Sequence, residues 1–483
     1  MGAREKTQTA VQSPLSPDEL PDIAILLMVG SSEAPGLPAA RRLIFVRDEL
    51  EIGRSPSASA TGRGAALAIS DPLVSSEHAR IARMSPAGYA ITDLGSKNGT
   101  VVDDVRVSAP QRLRNGAIIF FGNHVAVFRV VSAVDLEAIK TELVSPLGPV
   151  ATASPALAAA SDRLRRLAAS DGELLILGET GVGKEIYARA VHAHSGRSGR
   201  FTAINCGAIP PELVESELFG YRQGAHSTAR QAKAGLIEEA EGGTLFLDEI
   251  GEMSQEAQVK LLRFLQDREL TPLGSTRPRK IDVRVVAATN RTTPSGKTPG
   301  GLRDDILARL GAAPIHLPPL RQRIEDLGAL TAYFLRSSPA VTFEQPAFRA
   351  LARYEWPLNV RELEKIVTTA AVLTAGQRPI ALRDLPDPIA HPAPIGVGQG
   401  ADDGFGGGVE IDVAGGARRA VDAAPATFLA PTPTPTPAQI EDLLRRYDGN
   451  VAEVSRELGK HRAAVWRWMK KWGIAVDKFK VRR

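Results

Sequence analysis

Gly178, Gly181 and Gly183, followed by Lys184 in LLILGETGVGK (174–184), are residue types suited to holding phosphate. Glycines in a loop let backbone N–H groups approach phosphate oxygens with no Cβ in the way. A helix beginning there turns its positive end toward the same oxygens, and the lysine adds a point charge. The spacing is G-x-x-x-x-G-K, with Glu179, Thr180 and Val182 inside the loop and Glu185 where Ser or Thr is usual. A metal ion at this loop therefore lacks its usual hydroxyl ligand. An ordinary strand–turn–helix corner would read similarly. Asp248 and Glu249, at the end of the apolar run in GGTLFLDEIGEM, decide between the two. Carboxylates at the C-terminal end of a parallel strand lie at the mouth where ligands bind. Asp248 suits a magnesium ion, directly or through water, and Glu249 suits polarising an attacking water. With the loop they supply the cation, cradle and positioned water that phosphoryl transfer needs.

Short buried strands must position these groups. Leu174 to Leu177, Thr244 to Leu247, 204–206 and 283–289 are apolar runs of strand length. They alternate with helical patterns, which implies an α/β domain with a parallel sheet. Asn205 and Asn290 fall at two of the strand ends. Asn205 is placed to orient Glu249, although either asparagine also suits a plain turn cap.

Toward the front, over 21–133, short apolar runs alternate with turns and imply an all-β sandwich. Its chemistry-bearing residues sit in turns: Arg54, Ser75 and Ser76 with His78, and Lys97 with Asn98. Arginine, hydroxyl and asparagine together suit a phosphorylated side chain and its peptide. Taken singly, each also suits an ordinary turn.

The chain has 483 residues, enough for several domains, and a formal net charge of only +4, so any basic partner surface is local. One cysteine, Cys206, excludes a disulfide framework and fits a reducing compartment. The apolar run 23–29 is too short to span a bilayer, so a cytoplasmic protein with no membrane partner is expected. Residues 134–155 read as a connector. Residues 387–438, rich in Pro, Gly and Ala and ending in a PT run, read as a disordered tether. Residues 439–483 carry 12 Lys plus Arg against 6 Asp plus Glu. Val451, Val454 and Leu458 line one helix there, and Val465, Trp468 and Trp472 another, as in an all-α helix–turn–helix. Lys460, His461, Arg462, Ala464, Arg467, Lys470 and Lys471 lie on or near the last helix and suit DNA phosphates and base edges. A basic aromatic helix also suits a protein groove.

Three resemblances follow from these residues. The set Gly53-Arg54, Ser75, His78 and Lys97-Asn98 resembles a forkhead-associated (FHA) domain, which binds phosphothreonine peptides. The resemblance implies that Arg54 and Ser75 contact phosphate and Asn98 holds the peptide backbone, with Lys97 beside it. His78 and Gly53 would be structural, and Ser76 stands where arginine is frequent. A partner modified by a Ser/Thr kinase is implied. ESELFGYRQGAHSTA, GGTLFLDE, QVKLLRFLQ, DVRVVAATN, LRDDILARL and WPLNVRELE resemble, in order, the AAA+ domain of bacterial enhancer-binding proteins. Those ATPases remodel RNA polymerase carrying sigma-54. The resemblance implies ATP and Mg2+ as cofactors, an α/β core over 156–320 and a helical lid over 321–386. It implies that Lys184 contacts the β/γ phosphates and that Asp248 and Glu249 serve magnesium and water. Asn205 would be a nucleotide switch, and Asn290 and Arg361 would be sensors. Arg303 and Arg309 would reach a neighbour's nucleotide in a ring assembled from dimers to a hexamer. Six positions apart on one straight helix these two arginines face different ways, so a bend or loop is required. The last segment resembles the Fis-type DNA-binding domain.

One departure bears on the target. The family loop that touches sigma-54 is Gly-Ala-Phe-Thr-Gly-Ala; here it is Gly224, Ala225, His226, Ser227, Thr228 and Ala229. An aromatic contact and a permissive glycine are both replaced. Two readings stand: a sigma-54 activator, or a regulator built alike that acts on another target or represses. A smaller departure is Leu358, where the family commonly has glycine.

Overall fold

In a computed structural model of the protein, the described residues are 22–56, 64–84, 88–224, 231–290, 302–311, 314–391 and 437–447, with isolated positions from 451 to 474. The chain divides into a unit ending at Gly398 and a second unit beginning at Gln399.

The first unit opens with two sheets. One carries β1 (Ile23–Ser31), β2 (Leu43–Phe45), β7 (Thr100–Val102), β8 (Val105–Arg106), β10 (Ile118–Phe121) and β11 (His124–Val131), in the order β2-β1-β11-β10-β7-β8. The other carries β3 (Glu49–Gly53), β4 (Gly64–Ala68), β5 (Ala79–Arg83), β6 (Tyr89–Asp93) and β9 (Gln111–Leu113), in the order β4-β3-β5-β6-β9. The runs over 100–102, 105–106 and 111–113 are too short to stand out by periodicity, and only pairing makes them strands.

The middle strands of the first sheet, β1, β11 and β10, are buried on both faces. Ala24, Leu26 and Met28 of β1, Ile119 and Phe121 of β10, and Ala126 and Phe128 of β11 fill the space between the sheets. Their alternates turn outward and are covered. Ile25, Leu27 and Val131 pack on Leu136 and Ile139. Val29, Phe120, Val125 and Val127 join the core of the lid. Two-sided burial explains why IAILLMV reads as an unbroken apolar run rather than an alternating one.

Leu136 and Ile139 belong to α1 (Ala133–Val144), which corrects the expected connector over 134–155. Ser132 caps it by accepting from the Asp135 N–H. Its apolar residues are not gathered on one face, since Val134 and Val144 are exposed, so this helix is stabilised by packing on β1 rather than by its own pattern.

The parallel sheet expected next is present. α2 (Pro155–Ala168) leads into β12 (Leu174–Leu177), α3 (Lys184–His194), β13 (Phe201–Asn205), α4 (Pro211–Phe219), α5 (Leu236–Glu239) and β14 (Thr244–Asp248). Then come α6 (Gln255–Asp267), the small hairpin of β15 (Glu269–Leu270) and β16 (Arg279–Lys280), β17 (Arg284–Thr289), α7 (Asp304–Leu310) and β18 (Ile315–His316). The sheet order is β13-β14-β17-β12-β18, with every pairing parallel. β12, first of these strands in the chain, is interior, flanked by β17 and the edge strand β18, so the loop after it opens between neighbours on both sides. The lid follows as α8 (Leu327–Phe334), α9 (Gln345–Arg353), α10 (Asn359–Thr374) and α11 (Asp387–Ala390).

In the second unit α12 (Pro437–Arg446) contributes Ile440 and Leu444 to a small core with Val451, Val454 and Met469. The expected core residues Leu458, Val465, Trp468 and Trp472 lie outside the described residues, as do the DNA-facing candidates Lys460, His461, Arg462, Ala464, Arg467, Lys470 and Lys471. No helix among the described residues is long and apolar enough to cross a membrane.

Candidate nucleotide and phosphopeptide sites

The phosphate loop joins β12 to α3. Gly181 has φ +81°, and a Cβ there would fall 2.2 Å from the Leu358 carbonyl oxygen, so only glycine admits the lid this close. Val360 N–H donates to the Gly181 carbonyl across the same contact, at 3.0 Å. Leu358 itself has φ −106°, an ordinary value, so replacing the usual glycine there strains nothing. The left-handed positions in this stretch are Trp356 and Asn359 instead.

Lys184 is the first residue of α3 and is buried. Its Nζ donates to the carbonyls of Gly178 (3.0 Å) and Glu179 (3.2 Å). Burial lowers its pKa, opposed by the charges of Asp248 and Glu249, with Arg361 adding to the depression. Asp248, at the end of β14, has its carboxyl raised by burial, with Lys184 pulling it back. Its Oδ1 accepts from the Glu249 N–H at 3.0 Å. Glu249 has φ +52°, a costly conformation for a side-chain-bearing residue and a frequent one at reacting sites. Asn290, after β17, donates to Thr180 Oγ1 at 3.2 Å. Glu185 is turned aside and paired with Arg189 at 2.7 Å.

Asn205 does not hold Glu249 directly. Its Oδ1 accepts from the N–H groups of Gly207 (2.9 Å) and Ala208 (3.1 Å), capping its own turn. Glu249 Oε2 lies against that same turn, since a Cβ on Gly207 would come within 2.5 Å of it. Arg303 and Arg309 also part company. Arg303 is the extended residue before α7 and pairs with Asp305 at 2.7 Å, while Arg309 sits in the last turn and donates to the Leu265 carbonyl. Arg303 thus lies ahead of the helix in extended backbone rather than on it with Arg309.

Three residues that sequence reasoning passed over hold the loop. Arg321 forms a two-pronged pair with Glu179 at 2.8 and 2.5 Å. Arg323 donates to the Val182 carbonyl at 2.9 Å. Asn359 Nδ2 donates to Glu179 Oε2 and the Thr180 carbonyl, while its Oδ1 accepts from Leu320 N–H. The one signal for the two arginines was an Arg-x-Arg directly after LPPL, too short to read alone. Behind the loop an apolar cavity is lined by Val150, Leu157, Ile186, Tyr187 and Val360, suited to a flat aromatic ring. Burial pushes the Tyr187 hydroxyl up to about 12 and the Cys206 thiol likewise to about 12, so both stay protonated at neutral pH.

In the sandwich, the expected turns converge. Ser75 Oγ accepts from Lys97 N–H at 3.1 Å, and Asn98 Nδ2 donates to the Leu73 carbonyl at 2.7 Å. Arg54 N–H donates to the Ser75 carbonyl at 2.9 Å. Arg54, Ser76, Lys97 and Asn98 are exposed around the half-buried Ser75. His78 is fully buried and its Nδ1 accepts from the Ser75 N–H at 3.0 Å. Burial holds its pKa below the ordinary value. The neutral ring is therefore the folded form, while an unfolded chain takes up the proton first as pH falls. Sandwich stability is expected to be full above about pH 6.5 and to decline below it. Thermal melts at pH 7.5 and 5.5 check this, with His78→Asn flattening the difference; an unchanged pH slope in that variant would refute it.

Residues 150–316 match the sigma-54 interaction domain. The chain carries a sigma-54 interaction domain. Residues 321–398 match an AAA+ ATPase lid domain and residues 50–122 an FHA domain. The sigma-54 interaction domain and its lid thus account for the parallel sheet and the helices that close on its loop. Among similar proteins, the DNA-binding transcriptional regulator NtrC of Azospirillum brasilense is 48% identical over 231 residues, covering 47% of this chain and 48% of that protein. The nitric oxide reductase transcription regulator NorR1 of Cupriavidus necator is 39% identical over 341 residues, covering 68% and 64%. The chain thus spans about half to two thirds of the length of these relatives. Among solved structures, NtrX of Brucella abortus in complex with ADP is 27% identical with a TM-score of 0.46, covering 71% of this chain and 73% of that one.

Proposed function

We propose that this chain is an ATP-hydrolysing, DNA-binding transcriptional regulator of the sigma-54 activator type, controlled by phosphothreonine-peptide recognition through its FHA domain. The observation that carries the reading is a glycine loop closed by the lid at Gly181, with buried Lys184 at its end and Asp248 and Asn290 following neighbouring strands of the same parallel sheet. The adenine ring takes the apolar cavity beside Tyr187, and Lys184 leaves its loop carbonyls for the β and γ phosphates. Asp248 would hold Mg2+; a hard cation that keeps several waters and needs one or two carboxylates fits a donor set of this size. When bound, the ion neutralises charge on the transferring phosphoryl group. Glu249 accepts a proton from the attacking water, and Asn290 fixes Thr180 beside it. Arg303 and Arg309 act on the neighbouring subunit's nucleotide, which makes the site a property of a homo-oligomeric ring. At the front, Arg54 and Ser75 take the phosphate of a kinase-modified partner, and Lys97 and Asn98 its backbone. At the rear, the basic segment 439–483 takes DNA.

A second reading rests on His226 and Thr228 in the 224–229 loop, of which only Gly224 lies among the described residues. Here the same ATPase acts on another target or as a repressor. Promoter opening separates the two. Wild-type protein with ATP and sigma-54 polymerase is expected to form open complexes, and His226→Phe/Thr228→Gly to form several-fold more. Hydrolysis with no opening by either protein would sink the first reading.

A further inference from the structure

Residues 321–326, Arg-Gln-Arg-Ile-Glu-Asp, run between the phosphate loop and the FHA sandwich and are bonded to both. On one side Arg321 grips Glu179 and Arg323 grips the Val182 carbonyl. On the other, Arg129 of β11 donates to the Gln322 carbonyl at 2.9 Å and to both oxygens of Glu325 at 3.1 and 2.9 Å. Arg42 donates to Asp326 Oδ1 at 2.8 Å and to the Glu325 carbonyl at 3.0 Å. The Glu325 side chain is 0% exposed, and Arg42 and Asp326 are 2% and 3% exposed at theirs. A carboxylate so enclosed stays ionised only beside a cation. Among the described residues, the cation paired with Glu325 is Arg129, which belongs to the other domain. A short segment bonded on both sides cannot shift at one without straining bonds at the other.

We infer that the FHA domain supplies positioning residues, Arg129 and Arg42, for the nucleotide site: they hold 321–326 so that Arg321 and Arg323 hold the phosphate loop. The inference rests on the ATPase reading. It makes nucleotide binding and sandwich docking reciprocally coupled, since what favours one favours the other. Coupling between distinct sites is typically about 5- to 150-fold in affinity.

The test uses the full chain, ATP turnover and a fluorescent ATP analogue. Arg129→Met is expected to raise Kd and KM about tenfold, within the range typical of coupled sites, with kcat changed less than about threefold. Arg129→Lys, which keeps the charge but loses the two-pronged geometry, should recover part of the loss. A merely structural role would instead reduce the active fraction, lowering apparent kcat at unchanged KM. Gln345→Ala, which loosens the same docking face through the Gly122 carbonyl without touching 321–326, should stay within about twofold of wild type in Kd. If Arg129→Met does not fold, Arg129→Lys and Arg42→Lys carry the same test with smaller shifts. Wild-type affinity in these variants overturns the inference and leaves the ATPase reading standing, provided Lys184→Ala abolishes binding. A wild-type chain that binds no nucleotide overturns both.

Discussion

Glu249→Gln is expected to leave nucleotide bound and to lower hydrolysis by about 10²- to 10⁴-fold, the range for removing a positioned general base. The side chain keeps its size, so the contact with the turn at Gly207 survives and the phosphate loop is not touched. What disappears is the negative charge at the end of β14. Asp248 beside it keeps its own charge, held by Lys184 against the effect of burial. The left-handed backbone at Glu249 is a conformation that glutamine bears at the same cost. Phosphate release and nucleotide affinity, measured on one preparation, check the result. Turnover within tenfold of wild type would remove Glu249 from the chemistry.

The second large effect lies at a distance from this loop. Arg303→Ala is expected to lower hydrolysis about 10³-fold, the lower end for an arginine supplied to a transferring phosphoryl group from a neighbour. Arg303 is half-buried and extended, and among the described residues its side chain pairs with the adjacent Asp305, which leaves it available to a neighbouring subunit on the proposed reading. Arg309 donates to Leu265 and lies 3.7 Å from Glu173, and its replacement carries a structural cost as well. Mixing decides whether the action is in trans. Arg303→Ala mixed with Glu249→Gln should regain activity that neither has alone, because some interfaces then pair an intact Glu249 with an intact Arg303. A mixture as inactive as its parents would place both residues in one subunit's site.

Much of this was legible before any fold. Strand ends at 177, 248 and 289 follow from short apolar runs, because a strand buried on both faces has no polar alternates. The residues just beyond each run must then lie along one edge of a parallel sheet. Gly181 and Lys184 were legible for a similarly local reason: backbone approach and point charge are properties of single residues. The FHA turns were legible as a set, since Ser75, Lys97 and Asn98 carry the right groups. Their convergence through the Ser75 hydroxyl was not, because it depends on two loops meeting.

The misses share one physical origin. The helix over 133–144 is set by contact with β1, a partner distant in sequence, so its own pattern was weak. Arg321, Arg323 and Asn359 act on carbonyls and a carboxylate more than a hundred residues away, and no spacing rule reaches that far. By itself the sequence determined the chemistry on offer: a glycine loop with its lysine, two carboxylates at a strand end, a hydroxyl and an arginine in sandwich turns. Only the tertiary structure decided what holds that chemistry in place. The outward faces of β10 and β11 carry Phe120, Val125 and Val127 beside Arg129, and an unbroken apolar run says that both faces are buried but not by what. The lid covers them, and that packing carries Arg129 to Glu325, and through 321–326 to the phosphate loop.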